Sequence, residues 1–298
     1  MYILKSVIHK TIWGGDRLSH CTKDNTDKIG HLYLFNGHEG LSNSVLNNDN
    51  NLTLRELFQK EKYNWKMQDY EEFPLTIALV DATDDLSIQV HPDDTTAESL
   101  EGSCIGKCES WYFLKAPQKG WIYAGCNYES IEEVRKAASS EQMENVAGRL
   151  PIEEGDYVCI HSGALHSMTA GCLTYEIEYG SDYTYRFYDF DRIDQNGNKR
   201  ELHIQKALRS IKTDENPTKK KAEIGEWISE QNYEIMILGN DVQEYVNHSD
   251  NIELLSVIEG AVVADGINVS AGMGIIILPG EKLSDIGRGK MIVARLKR

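Results

Sequence analysis

No apolar run in the 298-residue chain approaches the roughly 20 residues that a membrane-spanning helix needs. Nor does the N-terminal MYILKSVIHKTIWGG show a charged segment, an apolar core and a small-residue cleavage site in succession, so no secretory signal is expected. Positive charge is scarce. The 31 Lys and Arg face 47 Asp and Glu, a formal charge of −16, which argues against nucleic acid as a partner. A phosphorylated substrate would need a local basic pocket. Cysteine is sparse too: Cys21, Cys104, Cys108, Cys126, Cys159 and Cys172 form no C-x-x-C pair and no dense framework. Reduced thiols in or near a core are expected, in a cytoplasmic protein. What is present is ordinary for a globular chain, 41% hydrophobic and 26% charged, and the length suits one large domain or two smaller ones.

The periodicity is that of strands. HLYLF at 31–35, FPLTIALVDA from 73, LSIQVHP, ESWYFLKA and GWIYAG are runs of four to eight residues bounded by turn signals. A short helix is expected at TLRELFQKE, 53–61, and another at ELHIQKALRSI, 201–211. Between Ser130 and Leu150 the rhythm breaks: Ser130 followed three later by Glu133 is a capping pattern, and good helix formers follow, so the stretch reads as a helical insertion. EEGDYVCIHSGALHSM and TYEIEYGSDYTYRFYDF return to strand. DENPTKKKAEIGEW, 214–227, is polar with a basic run and reads as a solvated linker. Beyond it IELLSVIEGAVVADG, INVSAGMGIIILPGE and MIVARLKR form a second β-rich region whose GMGIIILPGEKL echoes GDYVCIHSGALH without its histidines. The expectation is an all-β dominated protein of two β-barrel domains, 1–213 with a metal site and 214–298 without one.

In SIQVHPDD, Gln89 and His91 stand two apart, so in a strand both point to one face. A neighbouring strand from Glu109 to Leu114 could pair there and bring Glu109 beside His91, and His166 follows the turn at Ser162–Gly163. Two imidazoles, a carboxylate and an amide oxygen suit a divalent metal with an open position. Zinc tolerates that set; the 2-His-1-carboxylate core would also serve non-haem iron in an oxygenase, although Gln89 would then fill a position oxygen chemistry leaves open.

SIQVHPDD, GKCESWYFL, GDYVCIHSGALHSM and SDYTYRFYDFDR resemble, in order and spacing, the signature segments of type I mannose-6-phosphate isomerases of the short bacterial form. The resemblance runs from IWGG at 12–15 into the C-terminal region. It implies a double cupin, one zinc ion per chain held by Gln89, His91, Glu109 and His166, and Arg186 as catalytic arginine. It matches Lys107 and Glu176 to further catalytic positions, and Trp13 and Arg192 to substrate-binding ones. The reaction implied interconverts mannose 6-phosphate and fructose 6-phosphate through an enediol, in a monomer or homodimer with no partner beyond its sugar phosphate.

Two positions depart from that pattern. Ala78 stands in FPLTIA where the family carries a lysine, and GHLY puts His31 and Tyr33 where a glutamate and a tryptophan are usual. Glu178, Tyr179 and Gly180 replace a Gln-Gln-Asn run, and His161 replaces a proline; His161, five residues before His166, is expected to face the other side. Loss of one charged contact to an anion costs roughly 1.5–3 kcal/mol, so Ala78 should weaken substrate or transition-state binding. The alternative function is therefore a catalytically weakened relative that binds a sugar or sugar phosphate in a regulatory role.

Overall fold

A computed structural model describes residues 1–22, 27–48, 50–140, 143–193, 197–284 and 286–297. Strand accounts for 42% and helix for 13%, with four α-helices among the described residues: α1 (Leu54–Glu61), α2 (Asp94–Glu101), α3 (Ile131–Ala138) and α4 (Ile204–Ser210). The strand-dominated reading therefore holds. The chain folds as two compact units, one of residues 1–10, 16–79 and 222–298, the other of 11–15 and 80–221. A single boundary at 213/214 was expected from the sequence. The second unit ends at Lys221 instead, and most of the first 79 residues group with the C-terminal segment.

Strand pairing explains that grouping. Tyr2–Lys5 lies antiparallel to Gly274–Ile277, with Ile3 opposite Ile275. The row continues across the sheet from Ile275 to Leu255, from Leu255 to Val293 and from Val293 to Met236. Alternate residues of each strand share a face, so this row lies within one apolar cluster with Val257, Val262, Ile277 and Met291. Burying each such aliphatic side chain contributes about 1.5–3 kcal/mol, a strong reason for the chain's first strand to stay with the C-terminal strands. The echo of GDYVCIHSGALH is a strand, Gly274–Ile277, followed by a turn, and isoleucines occupy the inward positions.

The second unit holds two antiparallel groups of strands. Thr218–Lys221, Asp156–Ile160, Lys107–Lys115 and Leu173–Gly180 pair in that order. A five-stranded sheet runs Tyr185–Tyr188, Ile88–Val90, His166–Ser167, Trp121–Cys126, Ala147–Pro151. The outer face of this sheet is apolar: Ile88, Val90 and Phe187 pack with Val134 of α3 and with Ala207 and Leu208 of α4.

Three local readings change. The basic run 218–221 is an edge strand, not a linker; Lys219 and Lys221 reach Asp156 at 3.4 and 2.7 Å, and a lysine-rich edge resists pairing with other chains. The expected helix of 130–150 stops at Ala138, and Ala147–Pro151 is a strand on Trp121–Cys126. Gly148 permits that approach, because a Cβ there would stand 2.5 Å from the Ala124 carbonyl. Helix α2 was not expected, although Asp93 caps its N-terminus, accepting from Thr96 N at 2.8 Å, and Gly102 ends it at φ 73°. Residues 141 and 142 of the expected helix, Asp49 of the NNDNN turn and Arg298 lie outside the described residues.

Thr53 and Ser130 both close capping boxes. Thr53→Ala and Ser130→Ala should each lower unfolding free energy by about 1 kcal/mol, read as a lower urea midpoint at constant m-value; midpoints equal to wild type would show the caps idle. Burial opposes ionisation of Asp93, but Lys212 and Thr96 outweigh it and hold its pKa at about 2. Its folded value is depressed, so its contribution is present above its ordinary 3.8 and lost as pH falls towards 2. The Asp93→Ala variant should therefore show a shallower loss of stability than wild type between those values.

Candidate metal centre

The register of the five-stranded sheet sets the site's first row. Arg186 stands opposite Gln89, and Gln89 opposite His166, so the three side chains share the face turned away from Ile88 and Val90. The other strand group supplies the second row, in which Ile160, Glu109 and Glu178 are cross-strand neighbours. The expected pairing of Glu109's strand with Gln89's does not occur. Glu109 meets His91 across the unit's interior instead, His91 Nε2 lying 2.9 Å from Glu109 Oε2 and His166 Nε2 3.5 Å from Glu109 Oε1. Gln89 Nε2 is 3.4 Å from His166 Nε2. His91, Glu109 and His166 are all buried and form a group able to hold a metal ion.

The hydrogen bonds behind these rings decide which nitrogen carries a proton. His91 Nδ1 is 2.9 Å from the Tyr183 carbonyl, and His166 Nδ1 is 2.9 Å from the Ala164 carbonyl. A carbonyl only accepts, so each Nδ1 must donate, and a neutral ring then presents a bare Nε2 lone pair. Burial pushes His166 down to about 4, which keeps that ring neutral near pH 7. Burial works against the Glu109 carboxylate, yet His91 and Lys107 together hold it ionised, well below the usual carboxylate range. Lone pairs and an anion thus converge on one spot, and Glu109 Oε1 has no hydrogen-bond donor among the described residues. Such a spot calls for a cation, and the donor set, two imidazoles, a carboxylate and an amide, fits a divalent metal.

Beside it lies a charged network. Lys107 and Glu109 share a strand face, as do Glu176 and Glu178 on the adjoining strand. Lys107 Nζ donates to Glu178 Oε1 at 2.6 Å and lies 3.3 Å from Glu109 Oε2. Burial alone would strip its proton, but Glu178, Glu109 and Glu176 raise its pKa and keep it charged. Trp111, two residues beyond Glu109, donates from Nε1 to Glu176 Oε1 at 2.9 Å. Burial, reinforced by Glu109 and Glu178, lifts the Glu176 carboxyl well above its ordinary value.

Sequence reasoning did not assign a role to Trp111 or to the Glu178–Lys107 pair, although the i, i+2 spacing of 107, 109 and 111 was the available signal. Arg186 has its Nη1 on the Glu201 carbonyl at 2.7 Å, while its buried Nε has no hydrogen-bond partner among the described residues. The remaining residues stand elsewhere. Arg192 binds Asp189 and the Asp85 carbonyl. Trp13 is buried and its carbonyl accepts from Thr83 N at 2.9 Å. His161 pairs with Glu215 at 3.0 Å.

Lys107→Met removes the cation that three buried carboxylates share. A loss of about 3–5 kcal/mol is expected in urea unfolding of the metal-free protein, since one partner of a buried ion pair is left uncompensated. A loss below about 1 kcal/mol would show that proton uptake by the carboxylates replaces the lysine.

Residues 1–110 match the family model for the catalytic domain of type I phosphomannose isomerase. The chain is 34% identical over 211 residues to GmuF, a probable mannose-6-phosphate isomerase of Bacillus subtilis (strain 168), covering 70% of this chain and 67% of that protein. It is 34% identical over 208 residues to the mannose-6-phosphate isomerase of Streptococcus mutans, covering 69% and 66%. The crystal structure of the mannose 6-phosphate isomerase from Bacillus subtilis superimposes with a TM-score of 0.82 at 28% identity, over 98% of each chain. By sequence and by fold, the chain that buries this histidine–glutamate cluster belongs to the type I phosphomannose isomerase family, whose members are aldose-ketose isomerases.

Proposed function

We propose that the chain is a zinc-dependent isomerase interconverting mannose 6-phosphate and fructose 6-phosphate. The observation that carries this reading is the convergence of two imidazole Nε2 atoms on the buried carboxylate of Glu109. Zinc bonds of about 2.0–2.2 Å at tetrahedral angles would put neighbouring donors about 3.3 Å apart. The separations here are 2.9, 3.4 and 3.5 Å. The residues assigned to hold the ion are Gln89, His91, Glu109 and His166, the amide turning its oxygen inward.

When bound, the metal polarises a carbonyl or hydroxyl oxygen of the sugar and stabilises the charge that develops there. The chain's own groups do the rest. Aldose–ketose exchange moves a proton between C2 and C1, and Glu176 is assigned to carry it. Its buried position raises its proton affinity well above that of an ordinary carboxylate, which favours taking up a proton from carbon. Trp111 orients that carboxyl. Arg186 offers its buried Nε–H to an oxygen of the substrate, and Lys107 keeps a positive charge beside Glu109 and Glu176. None of the six cysteines is in a disulfide, and we place the protein in the cytoplasm. No helix among the described residues is long and apolar enough to cross a membrane.

Ala78 supports a second reading, a weakened relative that binds a sugar or sugar phosphate in a regulatory role. Its methyl group is buried and brings no charge. His31 stacks with Tyr33, ring centroids 5.4 Å apart, and supplies an imidazole where the family has a carboxylate.

Zinc-loaded protein should convert mannose 6-phosphate to fructose 6-phosphate. Folded, zinc-bound protein with no turnover above background would sink the isomerase reading in favour of the regulatory one; iron on metal analysis with oxygen uptake would point to an oxygenase. His91→Ala should lose metal and turnover together, and activity surviving that change would refute the ligand assignment.

A further inference from the structure

A cleft of about 400 Å³ in the second unit is lined by Arg192, Lys199 and Arg200, by Tyr188 and Ser140, and by apolar Met143 and Leu202. Its two acids, Asp189 and Asp191, are already engaged. Asp189 is buried and clamps both guanidiniums, accepting from Arg200 Nε at 2.7 Å and from Arg192 Nη2; Asp191 takes Lys199 at 2.5 Å. Three cations line the cleft against two carboxylates, and Asp84, outside the lining, stands 3.6 Å from Arg192 Nη1, so the acids hold these cations in place without outnumbering them, in a chain whose formal charge is −16. Arg192 is held through Nε, Nη1 and Nη2 and Arg200 through Nε and Nη2, and a guanidinium fixed in place is pre-organised for contact with an anion through the N–H groups that remain. Hydroxyls and apolar walls beside them suit the carbon skeleton of a small metabolite, and the volume falls in the range of small-molecule sites.

The cleft is distinct from the metal centre. None of Gln89, His91, Lys107, Glu109, His166, Glu176 or Arg186 lines it. Arg186 shares the inner face of the five-stranded sheet with Gln89 and His166, whereas Tyr188 packs with Ile88, Val90 and Phe187 on the outer face. A short segment joins the two. Arg200 is followed by Glu201, whose carbonyl holds Arg186 Nη1, and by His203, whose main-chain N donates to the Arg186 carbonyl at 2.7 Å. Arg186 N returns a bond to His203 Nδ1 at 3.1 Å.

We propose that this cleft is a second anion site, separate from the metal centre, which takes a small phosphorylated ligand. Inorganic phosphate is the probe, titrated into the metal-loaded full chain and followed by 31P NMR. Arg200→Gln should lose one equivalent of bound phosphate, or bind it at least about tenfold more weakly, with the KM for mannose 6-phosphate unchanged. Lys199, largely exposed, gives a variant that spares the fold: Lys199→Gln should weaken the same equivalent several-fold. The binding measurement needs no turnover, so it stands whether or not the chain isomerises sugar phosphates. Phosphate binding unchanged in both variants would overturn the proposal. So would a tenfold rise in KM in Arg200→Gln, which would make the cleft the substrate's own phosphate seat.

Discussion

A carboxylate that is 1% exposed and still ionised is the constraint on which the second unit is built. Water cannot stabilise Glu109, so the protein must, and an isolated buried charge is far too costly to keep. Lys107 provides one counter-charge from two residues away on the same strand. The two histidines come from the opposing sheet with Nδ1 spent on carbonyls and Nε2 turned to the carboxylate, so a neutral ring helps Glu109 only when a cation stands between them. The site is frustrated without that cation, and its geometry is a statement of what must bind.

Excess acid in the same neighbourhood is what tunes it. Glu178 stands where the family carries an amide, opposite Glu109 and bonded to Lys107. Each added carboxylate makes the next harder to ionise, and Glu176 is the one pushed furthest from its usual state. On the proposed function, the proton carrier arises from crowding like charges around one lysine. The same economy recurs at Asp189, where one buried acid fixes two arginines in place.

Much of this was legible in the sequence because strands impose a period of two. Gln89 and His91, Lys107 and Glu109, Glu176 and Glu178 could each be put on a shared face from spacing alone. Where the reading went wrong, local pattern was insufficient. TKKK has no apolar alternation, since an edge strand of exposed lysines buries nothing, and only its partner Asp156 makes it a strand. The region after Ala138 carries helix formers, but its backbone hydrogen bonds go to Trp121–Cys126. Helix α2 was overlooked because Pro92 read as a stop, when the next residue, Asp93, was also a start.

By itself the sequence determined the β-dominated class, the candidate ligands and their faces, and the family, because these depend on residue type and short periodic spacing. Tertiary structure alone decided which strands are neighbours, that Glu109 meets His91 across the interior and not along a ladder, and which imidazole nitrogen is bare. It also drew the first strand to the C-terminal sheet and gathered Asp189, Arg192 and Arg200 into one cleft. These are long-range choices. They are made by burial and by the need to pair every buried charge, and no window of neighbouring residues contains both partners.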